Sequence, residues 1–160
     1  MKTIILFRHG KSRWNFGVKD YDRDLENIGI ERTKKSAKEL SHIFGNKVDA
    51  WYSSPALRAK HTAQITHKYF TNPSKIQFFE ELYTFSFFDL LKFIKKIDNQ
   101  VQTILIFGHN EAFTEFANRM GNQYIENVPT SGVVAIEFNT GNWQLIEKGI
   151  TKIILKPKNL

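Results

Sequence analysis

Two apolar runs decide what this chain can fold into. Ile4-Ile5-Leu6-Phe7 and Ile104-Leu105-Ile106-Phe107 offer no polar side chain to turn toward water, so each reads as a strand covered on both faces. Strands covered twice need helices on either side, which is the layering of a three-layer α/β/α sandwich around a mainly parallel sheet. The runs also end alike: the first breaks into Arg8-His9-Gly10 and the second into Gly108-His109-Asn110. Ligands of open α/β sheets sit at the carboxyl ends of the strands, so both histidines are expected at one edge of the sheet.

The intervening chain supplies the other layers. From Asn27, small or apolar residues recur at Ile30, Thr33, Ala37, Leu40 and Phe44, a helical stripe that Gly45-Asn46 stops. Asp49 to Tyr52 is a short strand, followed by a helix to about Phe70 with Ser54 as N-cap and Pro55 in its first position. Ile76 to Phe79 is a brief strand. Phe87, Leu90, Leu91, Ile94 and Ile97 follow helical spacing opposite Lys92, Lys95 and Lys96, and a further helix after Asn110 turns Phe113, Phe116, Ala117 and Met120 inward. Val133 to Phe138 and Trp143 to Ile146 read as a hairpin across Asn139-Thr140-Gly141-Asn142, and part of the tail after Lys152 as an edge strand. Residues 16 to 26 form a loop near the end of the first strand, with Asp22 and Arg23 as an ordering ion pair.

A length of 160 residues suits one domain, residues 1–160. No run approaches the ~18 apolar residues of a membrane span, and the first residues lead straight into a strand without signal-peptide architecture, so a cytoplasmic protein without membrane partners is expected. The chain has no Cys, which excludes disulfides, thiolate metal sites and cysteine-nucleophile chemistry. Its net charge of +7 is spread over lysines on solvated helix faces, a field that steers anions and calls for no specific nucleic acid. No metal-ligand spacing occurs, so neither metal nor cofactor is expected. Gly10-Lys11-Ser12 imitates the end of a P-loop, but Ile5 stands where the first glycine of that loop is required.

What remains is a phosphate pocket. Helix N-termini and strand ends converge on one sheet edge, Arg58 falls in the first turns of the helix begun by Ser54-Pro55, and guanidinium groups clamp phosphoryl oxygens in bidentate fashion. Arg8 and Arg58 are the expected clamps, with Ser12, Asn15 and His109 as further phosphate-binding groups. Taken singly, His9 reads as a turn histidine, His109 as a helix-capping histidine and Arg58 as a solvated helix residue; two histidines at paired strand ends with two arginines argue otherwise. Ser54 reads as a cap only, His42, His61 and His67 as surface groups, and Trp14 as part of the pocket rim.

Arg8-His9-Gly10-x-Ser12-x-x-Asn15, Ser53-Ser54-Pro55-x-x-Arg58-x-x-x-Thr62-Ala63 and Gly108-His109-Asn110 together resemble the motifs of the histidine phosphatase superfamily, the phosphoglycerate mutase-like fold. Asp22-Arg23-Asp24-Leu25, Val128-Pro129-Thr130-Ser131-Gly132 and the short length resemble its SixA-type phosphohistidine phosphatases. Asp24 and Glu111 stand where that type commonly has proline. The resemblance implies His9 as a phosphate-accepting nucleophile, with Arg8, Arg58 and a protonated His109 holding the phosphoryl oxygens. It also implies Glu81 as the candidate proton donor, although the glycine that commonly follows is absent. The implied activity is a metal-independent phosphatase working through a phosphohistidine intermediate, its partner a protein carrying phosphohistidine. Two alternatives stand beside it: a phosphatase of small phosphate monoesters or anhydrides, and a catalytically idle module binding phospho-ligands or nucleic acid. Only 22 residues separate Arg58 from Glu81, too little chain for a lid, which favours a phosphoryl group presented on another protein.

Overall fold

The computed structural model describes all 160 residues and has a six-stranded sheet between two helical layers. In chain order the elements are β1 (Lys2–Arg8), α1 (Asn27–Phe44), β2 (Ala50–Ser53), α2 (Leu57–His67), β3 (Ile76–Phe78), α3 (Phe87–Lys95), β4 (Thr103–Gly108), α4 (Ala112–Met120), β5 (Val133–Phe138) and β6 (Ile150–Leu155). The strands lie in the order β3-β2-β4-β1-β5-β6. The first four of these run parallel, whereas β5 is antiparallel to both β1 and β6. The three-layer, mainly parallel architecture expected from the two apolar runs is therefore the one observed.

Register brings the chemistry together. Arg8 pairs with Gly108 across β1 and β4, and the His9 amide donates to the Gly108 carbonyl at 3.1 Å, so the two histidines leave the sheet side by side. Alternation along the same strands divides the core. Ile4, Leu6, Ile104 and Ile106 pack under α3 and α4, while Ile5, Phe7, Leu105 and Phe107 pack under α1 and α2. Burying a single such side chain contributes about 1.5–3 kcal/mol, which makes a one-residue slip of either strand prohibitive.

Helix α1 matches its expected bounds because Gly45 closes it at a φ of 53°. Helix α2 begins later than expected. Ala56 is still extended with ψ 136°, so the helix starts at Leu57 and Ser54 is not its N-cap. Past His67 it tightens into turns through Phe70, with the Tyr69 amide donating to the Thr66 carbonyl and the Phe70 amide to that of His67.

The expected hairpin is half right. β5 is present, but Trp143–Leu145 forms a 3-10 turn and the antiparallel partner of β5 is Ile150–Leu155. Trp143 gains more from the core than from an edge strand: its ring is fully buried and its indole Nε1 donates to the Val101 carbonyl at 2.9 Å. The buried Lys2 ammonium lies 5.2 Å from that ring and donates to the carbonyls of Asn99 and Val101, closing the sheet at the end remote from the histidines.

Candidate active site

His9 emerges from β1 into a turn that fixes its ring. Its Nδ1 donates to the Gly10 carbonyl at 2.7 Å, which commits the proton to Nδ1 and leaves Nε2 as an acceptor whose lone pair faces the Arg58 guanidinium. Arg58 Nε lies 3.4 Å from that Nε2. The Arg58 guanidinium is 2% exposed and comes from the first turn of α2. That helix is latched to the His9 turn through Thr62, whose Oγ1 accepts from the Gly10 amide at 2.9 Å and donates to the Arg58 carbonyl at 2.7 Å.

His109 follows β4 and its ring lies 5.3 Å from that of His9, centroid to centroid. Its Nε2 shares a 2.8 Å hydrogen bond with Ser54 Oγ, and its buried Nδ1 has no protein partner. Tyr83 and Phe85 pack edge-on against it at 5.4 and 5.5 Å. Arg8 donates from Nη1 to the Val128 carbonyl at 2.8 Å, while its buried Nε is unpaired. A second latch holds this side. Ser131, at a φ of 61°, donates its amide to the carbonyls of Arg8 and His9 and receives Ser36 Oγ of α1 on its own carbonyl at 2.6 Å.

Arg8, His9 and Arg58 open on a cleft of about 360 Å³ whose lining also includes Ser12, Asp20 and Phe85. Burial, reinforced by Arg58, Arg8 and Arg23 against the opposing Gly10 hydrogen bond, lowers the His9 pKa to about 3. Burial next to His9 and Arg58 lowers that of His109 to about 2, despite the attraction of Asp20. Both imidazoles are therefore neutral near pH 7, so the structure does not supply the protonated His109 that the resemblance implied. Neutral His9 is the form with a nucleophilic lone pair. Arginines around a polar concavity with unpaired donors suit an anion with several oxygens.

Of the residues singled out in the sequence, Arg8, His9 and Arg58 come together in the cleft, His109 packs against the His9 ring, and Ser12 lines the same cleft, its Oγ accepting from Arg23 at 2.7 Å. Two do not join them. Asn15 is exposed and faces a separate shallow depression, because an isolated bridge between Ser12 and Leu25 sends the chain outward beyond Ser12. Glu81 is exposed in a 3-10 turn and lines depressions shared with Phe93 and Lys96, not the cleft that holds His9. The Asp22–Arg23 pair is also replaced: Arg23 pairs with Asp20 at 3.0 Å. Trp14 is at the rim as expected, 86% exposed and stacked 4.2 Å from the Arg23 guanidinium.

Sequence reasoning missed Asp20. Its Oδ2 accepts from Arg58 Nη2 at 3.0 Å and from the Tyr83 hydroxyl at 2.5 Å, and its backbone carbonyl accepts from Arg58 Nη1 at 2.7 Å. Burial raises its pKa, but the hydrogen bonds from Tyr83, Arg23 and Arg58 outweigh that and hold the carboxyl well below its usual range. Nothing in the acidic stretch Asp20 to Asp24 distinguishes it. The role of Ser54 was legible only as a cap, since its partner lies 55 residues away.

A family model of the histidine phosphatase superfamily (branch 1) matches residues 4–90. The chain belongs to the histidine phosphatase superfamily. Members of that superfamily are phosphatases or mutases. Among solved structures, the protein histidine phosphatase SixA complexed with tungstate superposes with a TM-score of 0.81 over 98% of each chain, at 19% identity, and so shares the superfamily fold. An uncharacterized protein of Mycobacterium tuberculosis is 26% identical over 157 residues, covering 92% of this chain and 96% of its own. A 2,3-bisphosphoglycerate-dependent phosphoglycerate mutase of Rhizobium rhizogenes is 40% identical over 68 residues, 39% of this chain and 31% of the mutase.

Proposed function

We propose that this superfamily member, acting as one domain, is a phosphatase that passes the phosphoryl group through His9 and prefers phosphohistidine carried on a protein. The observation that carries the reading is the commitment of His9 Nδ1 to the Gly10 carbonyl while Nε2 stands beside Arg58 in a cleft walled by arginines. Nε2 attacks phosphorus in line, Arg8 and Arg58 hold the equatorial oxygens, and His109 takes up a proton as the dianion arrives. Water then hydrolyses phospho-His9.

The substrate class is argued from what borders the cleft. The stretch between Arg58 and Glu81 is spent on α2, its closing turns and β3, and none of it covers His9. Exposed Trp14 and Phe85 on the rim suit a phosphoryl group standing on another protein's surface, whereas a small alcohol gains few remote contacts there. The likeness to SixA supports the same reading. Local likeness to a mutase favours small phosphate esters as the second reading.

The deciding experiment compares a phosphohistidine peptide with 3-phosphoglycerate and sugar phosphates side by side. A kcat/KM at least about tenfold higher on the peptide, roughly 1.4 kcal/mol, is expected. Equal turnover of a small monoester would move the assignment to the second reading, and absence of any hydrolysis would leave a binding module.

A further inference from the structure

We propose that Asp20 is the carboxylate that carries the proton in both halves of the reaction, the part the sequence suggested for Glu81. The inference rests on the phosphatase reading above. Of the residues lining the His9 cleft, two are carboxylates, Asp20 and Glu26, and Glu26 is turned to Lys11 Nζ at 3.7 Å. Asp20 instead lies on Arg58, the guanidinium that touches His9.

Geometry makes the carboxylate and the substrate neighbours. Arg58 spends Nη1 on the Asp20 carbonyl and one hydrogen of Nη2 on Oδ2, so a phosphoryl oxygen taken by Nη2 arrives beside Oδ2 or replaces it. The charged and titratable groups facing Asp20 are Arg23 from its own turn, Arg58 from α2, Tyr83 from the segment after the Glu80–Leu82 turn, and His109 from the end of β4. Three of these, Tyr83, Arg23 and Arg58, stabilise the carboxylate. A dianion on Arg58 removes one hydrogen bond and adds repulsion, which favours the protonated carboxyl when a leaving group needs a proton.

In the first half, His9 Nε2 bonds to phosphorus. The bond from phosphorus to the leaving atom breaks with its electron pair on that atom, which takes the proton of the Asp20 carboxyl. In the second half a water oxygen bonds to phosphorus, the P–N bond returns its pair to His9, and the Asp20 carboxylate takes the proton released by the water. One water is consumed, and Asp20 ends protonated as it began; the proton it took from solvent when the dianion bound returns to solvent as phosphate leaves.

The test measures kcat/KM for wild type and Asp20→Asn on aryl and alkyl phosphates of rising leaving-group basicity. The variant is expected to lose about 100-fold or more on an alkyl phosphate and less than about threefold on p-nitrophenyl phosphate, whose leaving group needs no acid. Tyr83→Phe keeps the carboxylate but removes its 2.5 Å hydrogen bond, and is expected to move the falling limb of the alkyl-phosphate kcat profile to higher pH. An equal loss on every ester, a gain of activity, or an unmoved limb would reduce Asp20 to a support or an occupant of Arg58. Wild type that hydrolyses no ester or phosphohistidine and takes no label on His9 would instead overturn the phosphatase reading itself.

Discussion

Ser54 Oγ and His109 Nε2 stand 2.8 Å apart, both side chains closed off from solvent, and this bond ties the entry to α2 to the end of β4. His109 Nδ1 already lacks a partner, so Ser54→Ala leaves the imidazole with none. One net hydrogen bond is worth about 1–1.5 kcal/mol, and kcat should fall roughly tenfold with a displaced pH profile. Wild-type kcat and an unchanged profile would mean that the backbone alone orients His109.

His9→Ala should abolish turnover, because no other group is asked to bond to phosphorus. His109→Ala should lower kcat severely yet retain phosphate binding through Arg8 and Arg58. Acid-labile, base-stable label is expected on His9 in a rapid quench; label on His109 or a serine would reverse the roles. Vanadate, which imitates the five-coordinate transition state, should inhibit, and EDTA should not.

Glu81→Gln should leave kcat/KM within about twofold of wild type on both phosphohistidine and alkyl phosphate, because the residue lines other depressions and not the His9 cleft. A selective collapse on alkyl phosphate would require the Glu80–Leu82 turn to reorganise during catalysis.

Acid should destabilise the fold. Folded His9 and His109 titrate near 3 and 2, against 6.5 for an ordinary histidine. Their contribution is fully present above pH 6.5. As pH falls below that, the unfolded chain binds protons that the fold refuses, and stability drops by up to about 1.4 kcal/mol per pH unit for each histidine. Urea titrations from pH 7 to 4 should show this slope, and substituting both histidines with Asn should flatten much of it. Asp20 adds a separate loss below its own ordinary value of 3.8.

Gly29→Ala should impair folding and activity together. A Cβ there would lie 2.3 Å from the Lys11 carbonyl oxygen, so the loop that carries His9 has to shift. A loss of more than about 1 kcal/mol is expected from unfolding curves. A variant that is fully stable and active would show that this loop yields freely.

The strands and the four central site residues were legible because each depends on short-range pattern: a doubly buried run followed at once by its functional group. Register then did the rest, since pairing Arg8 with Gly108 sets His9 beside His109. Asn15 and Glu81 were misplaced because spacing along a motif says nothing of which way a loop turns after it, and the Ser12–Leu25 bridge turns this one outward. Asp20 and Ser54 act through partners 38 and 55 residues away, in contacts that no local pattern records. Trp143 shows the opposite failure. Its alternating neighbours imitate a strand, but a buried indole with a carbonyl for its N–H prevails over that pattern.

The disposition of the three tryptophans gives the molecule a built-in optical reporter. Trp51 and Trp143 are sealed in the cores on opposite faces of the sheet, and Trp14 alone stands in water, at the cleft and against Arg23. Iodide should therefore quench the fluorescence of one emitter and spare two. An anion that draws Arg23 toward the cleft will strip the guanidinium from the indole, so the wavelength of the quenchable fraction reads occupancy of the site without a label, a dye or turnover.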